Sequence, residues 1–253
     1  MDIITKVILV IKTISNFWIA FIDKAGFVES DVLYKTRKNL KFLARGGTED
    51  MAEIVVVASG SEYNIADFNL PSMAVILDLG GHIGTFSIWI SKSLKSRVKV
   101  FAYEPDMENF KFFQKNLELN KSKNIHLFNL AISDYWGKGY LRKKGMKTDA
   151  YFLDVKHSRK PNCDVTTLMR EQKKLGYKRI DLLKMDIEGG EYSIFSDARS
   201  YRFIASNVRN ILIECHNLDK YRNENKLLES ISKDFTVLSH HKNVYALKNM
   251  NQI

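Results

Sequence analysis

The sequence predicts an α/β fold with a mostly parallel sheet. From residue 74 onward, short apolar runs alternate with segments of helical periodicity, which is the pattern of strands joined by crossover helices. The first run ends in a glycine-rich loop, and two more apolar runs flank a polar turn near the end of the chain. A length of 253 residues fits one core with an appended element. We therefore divide the chain into an amino-terminal helical extension, 1–70, and a main domain, 71–253.

The composition is that of a globular protein, with 45% hydrophobic and 27% charged residues, and it excludes general disorder. The net charge of +10 favours anionic partners without choosing among them, and its spread along the chain is typical of solvated faces. Cys163 and Cys215 form no CxxC pair, so a disulfide framework and a zinc site are not expected. We predict a cytoplasmic location, with peripheral membrane contact as an alternative.

Residues 3–22 have an amphipathic pattern that predicts one helix. Polar residues interrupt its apolar run, so the segment is too short to span a membrane. No small-residue cleavage site follows, which disfavours a signal peptide. Two alternatives stay open: the helix packs on the main domain or on a partner subunit, or it lies in a membrane interface with Trp18 and Phe21 inserted. Next along the chain we expect a basic helix over 30–45 and a short strand over 53–59.

The main domain is predicted to alternate between strands and helices. We expect strands over 74–77, 98–103, 125–130, 180–185 and 208–214. We expect helices over 84–94, 108–120, 167–175 and 219–233. The irregular stretch 135–165 predicts a hairpin insertion, and the runs 235–238 and 244–247 predict a terminal antiparallel hairpin.

A glycine loop follows the first strand of this domain. Gly80 and Gly81 permit a tight turn, and Gly84 lets the next helix pack close to the strand. The spacing from Asp78 is D-x-G-x-x-x-G, and a dinucleotide fingerprint would need glycine at His82. The loop therefore disfavours dinucleotide binding.

An acid ends the second strand, 20 residues after the last loop glycine. Glu104 can accept hydrogen bonds from both hydroxyls of a ribose. Asp78, near a helix amino terminus, suits an ammonium group, and the loop amides suit a carboxylate. A ribose beside an amino-acid zwitterion describes S-adenosylmethionine, which we predict as the cofactor.

A second polar motif lies at the end of the strand over 180–185. Lys184, Asp186 and Glu188 alternate to one side, which is costly in a buried strand unless these groups are paired or functional. The following strand ends in Glu214 and His216 at the same edge of the sheet. We interpret these five residues as candidate catalytic groups. The alternative is a structural ion pair such as Lys184 with Glu214.

These motifs resemble the FkbM family of S-adenosylmethionine-dependent methyltransferases. The similarity covers about residues 74–217 and rests on DLGGHIG from Asp78, YEP from Tyr103, AISD from Ala131, LKMDIEGGE from Leu183, and ECH from Glu214. The resemblance implies a Rossmann-like class I methyltransferase fold with a seven-stranded sheet. It also implies methyl transfer to a hydroxyl of a sugar, lipid or polyketide-like molecule.

The resemblance assigns roles residue by residue. The cofactor would be held by Asp78, Gly80 and Glu104, with Asp134 or its neighbours on its adenine side, and Asp186 and Glu188 would lie near the transferred methyl group. We extend the predicted cofactor site to the other loop residues, Gly81, His82 and Gly84. Two positions depart from the family pattern, since His82 replaces the usual asparagine and Met169 replaces a usual acid.

Two candidates for the general base stay open, Asp186 and His216, each oriented by Glu188 or Glu214. We predict no metal. The expected partner is a small-molecule, glycan or lipid acceptor. An RNA 2′-O-methyltransferase using Lys184, Asp186 and Glu214 is one alternative, although no aromatic stacking platform is visible and nucleic acid is disfavoured. A non-enzymatic, membrane-associated protein that binds S-adenosylmethionine or a nucleotide is another.

Overall fold

The structure is a computed structural model that describes residues 2–28, 30–61, 63, 65–95, 97–143, 151–154 and 160–252. Its helices are α1 (Ile3–Thr13), α2 (Phe17–Lys24), α3 (Asp50–Ser59), α4 (Thr85–Ser93), α5 (Met107–Leu119), α6 (Leu168–Leu175), α7 (Glu191–Ser196), α8 (Ala198–Asn207) and α9 (Glu224–Ile231). Its first strands are β1 (Asp31–Lys35), β2 (Lys41–Arg45), β3 (Ala74–Leu79), β4 (Val98–Tyr103), β5 (Ile125–Phe128), β6 (Ala131–Ile132) and β7 (Gly137–Lys143). The remaining strands are β8 (Tyr151–Asp154), β9 (Cys163–Thr166), β10 (Leu182–Met185), β11 (Asn210–Glu214), β12 (Phe235–His241) and β13 (Val244–Asn249).

A seven-stranded sheet forms the centre of the main domain, in the order β12-β13-β11-β10-β3-β4-β5. The five strands from β11 to β5 are parallel, and β13 pairs antiparallel with both β11 and β12. This confirms the predicted mostly parallel sheet with a terminal hairpin. The strand order reverses between β3 and β10, where the two polar motifs meet, and Lys184 pairs in register with Asp78. Ligands of open α/β sheets bind at such a switch point.

Side chains on the two faces of the sheet belong to two apolar cores. In β3, Ile76 packs in the core that also contains Ile88 of α4 and Phe113 of α5. Leu77 points to the opposite core, which contains Ile204 of α8. The first core extends into the amino-terminal extension through residues such as Ile14, Phe42 and Ile54, so the extension and the sheet bury one continuous apolar surface.

The predicted helix over 30–45 is wrong, because this segment is the antiparallel hairpin β1–β2. Val32 and Tyr34 are buried while their neighbours are more exposed, which is the period of two that a strand requires. The expected strand over 53–59 is also wrong, because these residues belong to helix α3. Its β-branched run resembles a strand, but Ile54, Val57 and Ala58 form the buried face at helical spacing, and packing overrides the propensity.

The single helix expected over 3–22 is two helices, α1 and α2. Ile14 has an extended backbone and forms a β-bridge with Thr36, so the hairpin interrupts the helical run. Within the described residues, no helix is long and apolar enough to cross a membrane.

A small four-stranded sheet, β6-β9-β7-β8, lies beside the main sheet. Strands β7 and β8 pair antiparallel, which confirms the predicted hairpin insertion for its described part. The rest of that prediction, 144–150 and 155–159, lies outside the described residues. The sequence pattern did not predict α7 and α8, which follow the second motif and pack against each other.

Candidate active site

A cleft of about 1300 Å³ opens at the carboxyl ends of β3, β4 and β10. Three loops line it, and each carries one of the predicted motifs: Gly80 to His82 after β3, Glu104 after β4, and Asp186 to Gly190 after β10. Helix α3 of the extension closes another side. The volume exceeds the roughly 300–1,000 Å³ of a site for one small ligand, so the cleft has room for two molecules side by side.

Gly80 lies where the first and third loops meet. Its φ of +78° is in the left-handed region, and a Cβ placed there would lie 1.8 Å from the carbonyl oxygen of Asp186. The amides of Gly80 and Gly81 both donate to the carbonyl oxygen of Tyr103 at 3.0 Å. The glycine loop is therefore attached to the ends of both neighbouring strands, and only glycine fits at its first position.

Glu104 joins the glycine loop to the loop after β4. Its Oε2 accepts from the backbone amide of His82 at 2.7 Å, and its Oε1 accepts from the amide of Asp106 at 2.9 Å. Burial raises the pKa of Glu104 to about 7. Each carboxylate oxygen still has acceptor capacity for a ligand hydroxyl, so the residue fits the predicted ribose contact.

Asp78 lies beneath the glycine loop, fully buried, and pairs with Lys184. The ammonium group of Lys184 donates to the carbonyl oxygen of Gly80 at 2.8 Å and lies 3.3 Å from Asp78 and 3.6 Å from Asp186. Burial lowers the pKa of Lys184, but the two carboxylates outweigh this effect and hold it above its usual value. Burial raises the pKa of Asp78, whose Oδ2 accepts from Ser87 at 2.6 Å. Lys184 thus connects the loops after β3 and β10 by a buried charge network.

His216 lies among carboxylates at the end of β11. Its Nε2 is 3.4 Å from Glu188 and 3.8 Å from Asp186, and its Nδ1 is 3.2 Å from the buried carboxylate of Glu191. Burial lowers its pKa, but the hydrogen bond to Glu191 and the nearby charges raise it to about 9. The imidazole is therefore protonated at neutral pH. Glu214 is 3.9 Å from the same Nε2, so the structure brings together all five predicted catalytic residues.

Glu191 was missing from the predicted site although it lies in the motif. It is fully buried, and its Oε1 also accepts from the backbone amide of His216 at 3.0 Å. This carboxylate fixes the imidazole and leaves Nε2 facing Asp186 and Glu188. Glu191 could have been predicted from its position in the acidic motif after β10, three residues beyond Glu188.

Asp186, Glu188 and His216 also form a group that could hold a divalent cation. One ligand atom from each of the three lies within 4.8 Å of the others. Carboxylate oxygens and an imidazole nitrogen suit several divalent metals. That the reaction needs no metal stays a prediction, which loss of activity on chelation would refute.

The extension reaches the site through His82. Nδ1 of His82 is hydrogen-bonded to Glu53, and its Nε2 is 3.2 Å from Asp50, which pairs with Arg45 at 2.9 Å. Burial lowers the pKa of His82, but Glu53 and Asp50 outweigh this effect and raise it well above its ordinary value. The contact with Glu53 was not predicted, because a strand was expected over 53–59 where the structure has helix α3. The imidazole that departs from the family pattern therefore binds acids of α3.

The predicted adenine side contains Asp134, which lines the cleft near Leu130 and Ile132. Its Oδ1 accepts from the hydroxyl of Ser133 at 2.8 Å. Apolar side chains beside a polar acceptor suit a base that is flat and carries an amino group.

Met169 lies on α6, where the family pattern has an acid. Two residues further along α6, Glu171 is buried and accepts from Thr166 at 3.1 Å and from the hydroxyl of Tyr103 at 3.4 Å. A carboxylate is therefore present in this region, although it lies two residues after the expected position and contacts Tyr103 of β4.

The Rossmann-like sheet and the motifs at its switch point define a class I methyltransferase. The sequence model of the methyltransferase FkbM domain matches residues 78–247, which is more than half of the chain. The chain belongs to the FkbM methyltransferase family, and its cofactor is S-adenosylmethionine.

Two curated relatives are themselves methyltransferases. Methyltransferase 1 of Beauveria bassiana is 24% identical over 203 residues, with 69% of this chain and 76% of that protein covered. Methyltransferase sdnD of Sordaria araneosa is 27% identical over 189 residues, with 60% and 69% covered. Among solved structures, M. capricolum TrmK in complex with S-adenosyl-homocysteine is 14% identical, with a TM-score of 0.40 over 75% of this chain and 67% of that chain.

Proposed function

We propose that this methyltransferase acts on a hydroxyl group of a sugar, glycan, lipid or related small molecule. The observation that carries the proposal is the group of carboxylates around a protonated His216, which opens on the cleft beside the glycine loop. Hydroxyl groups donate hydrogen bonds to carboxylates, and an alcohol needs a proton acceptor when it acts as a nucleophile.

The residues of the cleft fit the cofactor. Glu104 has a buried carboxylate beside the glycine loop, where its oxygens can accept hydrogen bonds from ligand hydroxyls. Ser133 and Asp134 lie on the side assigned to the base. When bound, S-adenosylmethionine supplies an electrophilic methyl group.

Asp186 is the general base in this proposal. His216 already carries a proton at neutral pH, since three carboxylates raise its pKa to about 9, so it has no free nitrogen lone pair for another. Asp186 follows β10 directly, its side chain is 28% exposed, and its carbonyl oxygen lies against Gly80. It accepts the hydrogen bond of the acceptor hydroxyl and then its proton.

The neighbouring groups position this carboxylate. The ammonium group of Lys184 lies 3.6 Å from Oδ2 of Asp186, and His216 lies 3.8 Å from Oδ1, so both oxygens have a cation nearby. Glu188 has a left-handed backbone with a φ of +54°, a conformation that non-glycine residues adopt mainly where the surroundings enforce it. We assign Lys184, His216 and Glu188 to positioning.

The test is Asp186→Asn, compared with Asp164→Asn on the surface, where the carboxylate pairs with Lys138 and is 54% exposed. We expect Asp186→Asn to lower the rate of S-adenosyl-homocysteine release by about 10²–10⁴-fold with an acceptor fraction, as for loss of a general base. Its S-adenosylmethionine Kd in calorimetry should stay within about twofold of the parent, because the substitution is isosteric. Asp164→Asn should change neither quantity. Full turnover by Asp186→Asn would refute the assignment.

A further inference from the structure

We propose that the outer face of α1 and α2 docks on the surface of an anionic lipid bilayer. We call this surface the amino-terminal apolar face and define it by the exposed side chains of Ile3, Ile4, Ile8, Trp18, Ile22 and Phe27. The inference is independent of the proposed reaction, because vesicle binding requires no turnover.

The two helices have separate inner and outer apolar faces. Val10 and Phe17 pack against the core, and Ile14 between the helices is fully buried. Ile4 and Ile8 lie one turn apart on the outside of α1, and Trp18 and Ile22 lie one turn apart on the outside of α2. Burial of the inner face already attaches the helices to the protein, so the outer side chains are not needed for that contact. Exposed apolar side chains at this density mark an interaction site.

The charges around this face favour an anionic surface. Lys6, Lys12 and Lys24 are exposed on the same two helices. Asp23 of α2 is buried, where its carboxylate accepts from Tyr34 and from the amide of Gly47. The outer side of the helices therefore presents lysines beside isoleucine and tryptophan, which is the composition of helices that lie in the headgroup region.

The same charges argue against a second copy of this chain as the occupant. Two identical faces brought together would gather six lysines with only two copies of Asp2, the exposed acid that caps α1. Anionic headgroups neutralise these lysines, and each lysine near such a surface strengthens binding about fivefold. With 11 and 8 residues, α1 and α2 are short enough to lie side-on at the boundary between headgroups and acyl chains.

Docking through this face places the cleft near the bilayer. The inner side of α1 packs on α3, and Glu53 and Val56 of α3 line the cleft. Helices α1 and α3, each about 10 Å across, therefore lie between the membrane face and the site.

The test is co-sedimentation of the full chain with phosphatidylcholine vesicles with and without phosphatidylserine. The variant is Ile4→Glu/Ile8→Glu, and the matched control is Met73→Glu/Met107→Glu. The side chains replaced are 73% and 44% exposed in the variant and 73% and 51% exposed in the control, and the charge change is equal. Thermal unfolding of each protein confirms that the fold is retained.

We expect the parent protein to bind phosphatidylserine vesicles. The affinity should fall about tenfold or more in Ile4→Glu/Ile8→Glu and stay unchanged in the control. Lys6→Gln/Lys12→Gln should weaken it about fivefold per lysine. A blue shift of tryptophan emission on binding should disappear in Trp18→Phe. Absence of vesicle binding, equal binding to neutral vesicles, or equal loss in both glutamate variants would overturn the proposal. The proposal would also be overturned if the protein bound no vesicles and instead formed a dimer that the Ile4→Glu/Ile8→Glu substitutions dissociate.

Discussion

Replacement of Lys184 by methionine should strongly destabilise the protein. Methionine keeps much of the length of the aliphatic stem but removes the ammonium group that lies 3.3 Å from Asp78 and 3.6 Å from Asp186. Asp78 is fully buried, and no hydrogen bond from the described residues reaches its Oδ1, so the nearby ammonium group of Lys184 is the main compensation for this oxygen. The carbonyl oxygen of Gly80 would also lose its 2.8 Å hydrogen bond.

Removal of one partner from a buried ion pair costs about 3–5 kcal/mol. This is a large part of the roughly 5–15 kcal/mol that stabilises a domain. The matched control is Lys138→Met, because Lys138 pairs with Asp164 at 2.7 Å but the two side chains are 66% and 54% exposed. Exposed pairs contribute about 0–1 kcal/mol, so the difference between the two variants should be at least about 2 kcal/mol.

Urea unfolding followed by circular dichroism measures the free energies of unfolding. Burial raises the pKa of Asp78, and loss of Lys184 should raise it further. The folded state then binds the proton more tightly than the unfolded state, so the loss of stability in Lys184→Met should shrink as the pH falls toward 3.8, the ordinary pKa of an aspartate. Asp78→Asn/Lys184→Met should be more stable than Lys184→Met alone. A Lys184→Met variant within about 1 kcal/mol of Lys138→Met would refute the reasoning.

Two further predictions concern the cofactor loops. Gly80→Ala should lose at least about 2 kcal/mol more stability than Gly176→Ala. Both glycines have a φ above +70°, but a Cβ at Gly80 would lie 1.8 Å from the carbonyl oxygen of Asp186, whereas a Cβ at Gly176 would meet no atom within 4 Å. Urea unfolding compares them, and equal losses would show that the contact between the loops is wrong. The affinity for S-adenosylmethionine should be about tenfold weaker at pH 6 than at pH 8. Burial raises the pKa of Glu104 to about 7, so its carboxylate is mostly ionised at pH 8 and mostly protonated at pH 6. The ionised carboxylate is the better acceptor for ribose hydroxyls. In calorimetry, Glu104→Gln should bind weakly at both pH values, and a pH dependence that survives in this variant would contradict the role of Glu104.

The sequence predicted those parts of the fold in which periodicity and loop chemistry agree. The apolar run of β3, the glycine loop after it and Glu104 after β4 form a local pattern whose meaning does not depend on distant residues. The carboxyl ends of parallel strands meet at one edge, so the proximity of Asp186 and His216 followed from the strand assignment.

The sequence failed where distant contacts decide the structure. The run from Glu53 to Ser59 has strand propensity, but packing of Ile54 and Val57 in the shared core makes it a helix. The error concealed the contact between Glu53 and His82, which only the docking of α3 against the glycine loop creates. The pairing of Lys184 with Asp78 likewise depends on the register of β10 against β3.

Transfer of labelled methyl from S-adenosylmethionine into a fractionated source-cell extract tests the central claim most directly, with Glu104→Ala protein as the blank. We expect label above the blank in a glycan, lipid or small-molecule fraction, with the methyl group bound to the oxygen of a former hydroxyl group. This label should be lost with Asp186→Asn protein. Label in RNA would contradict the proposed acceptor class and favour a 2′-O-methyltransferase. Cofactor binding without label in any fraction and without release of S-adenosyl-homocysteine would contradict hydroxyl methylation itself.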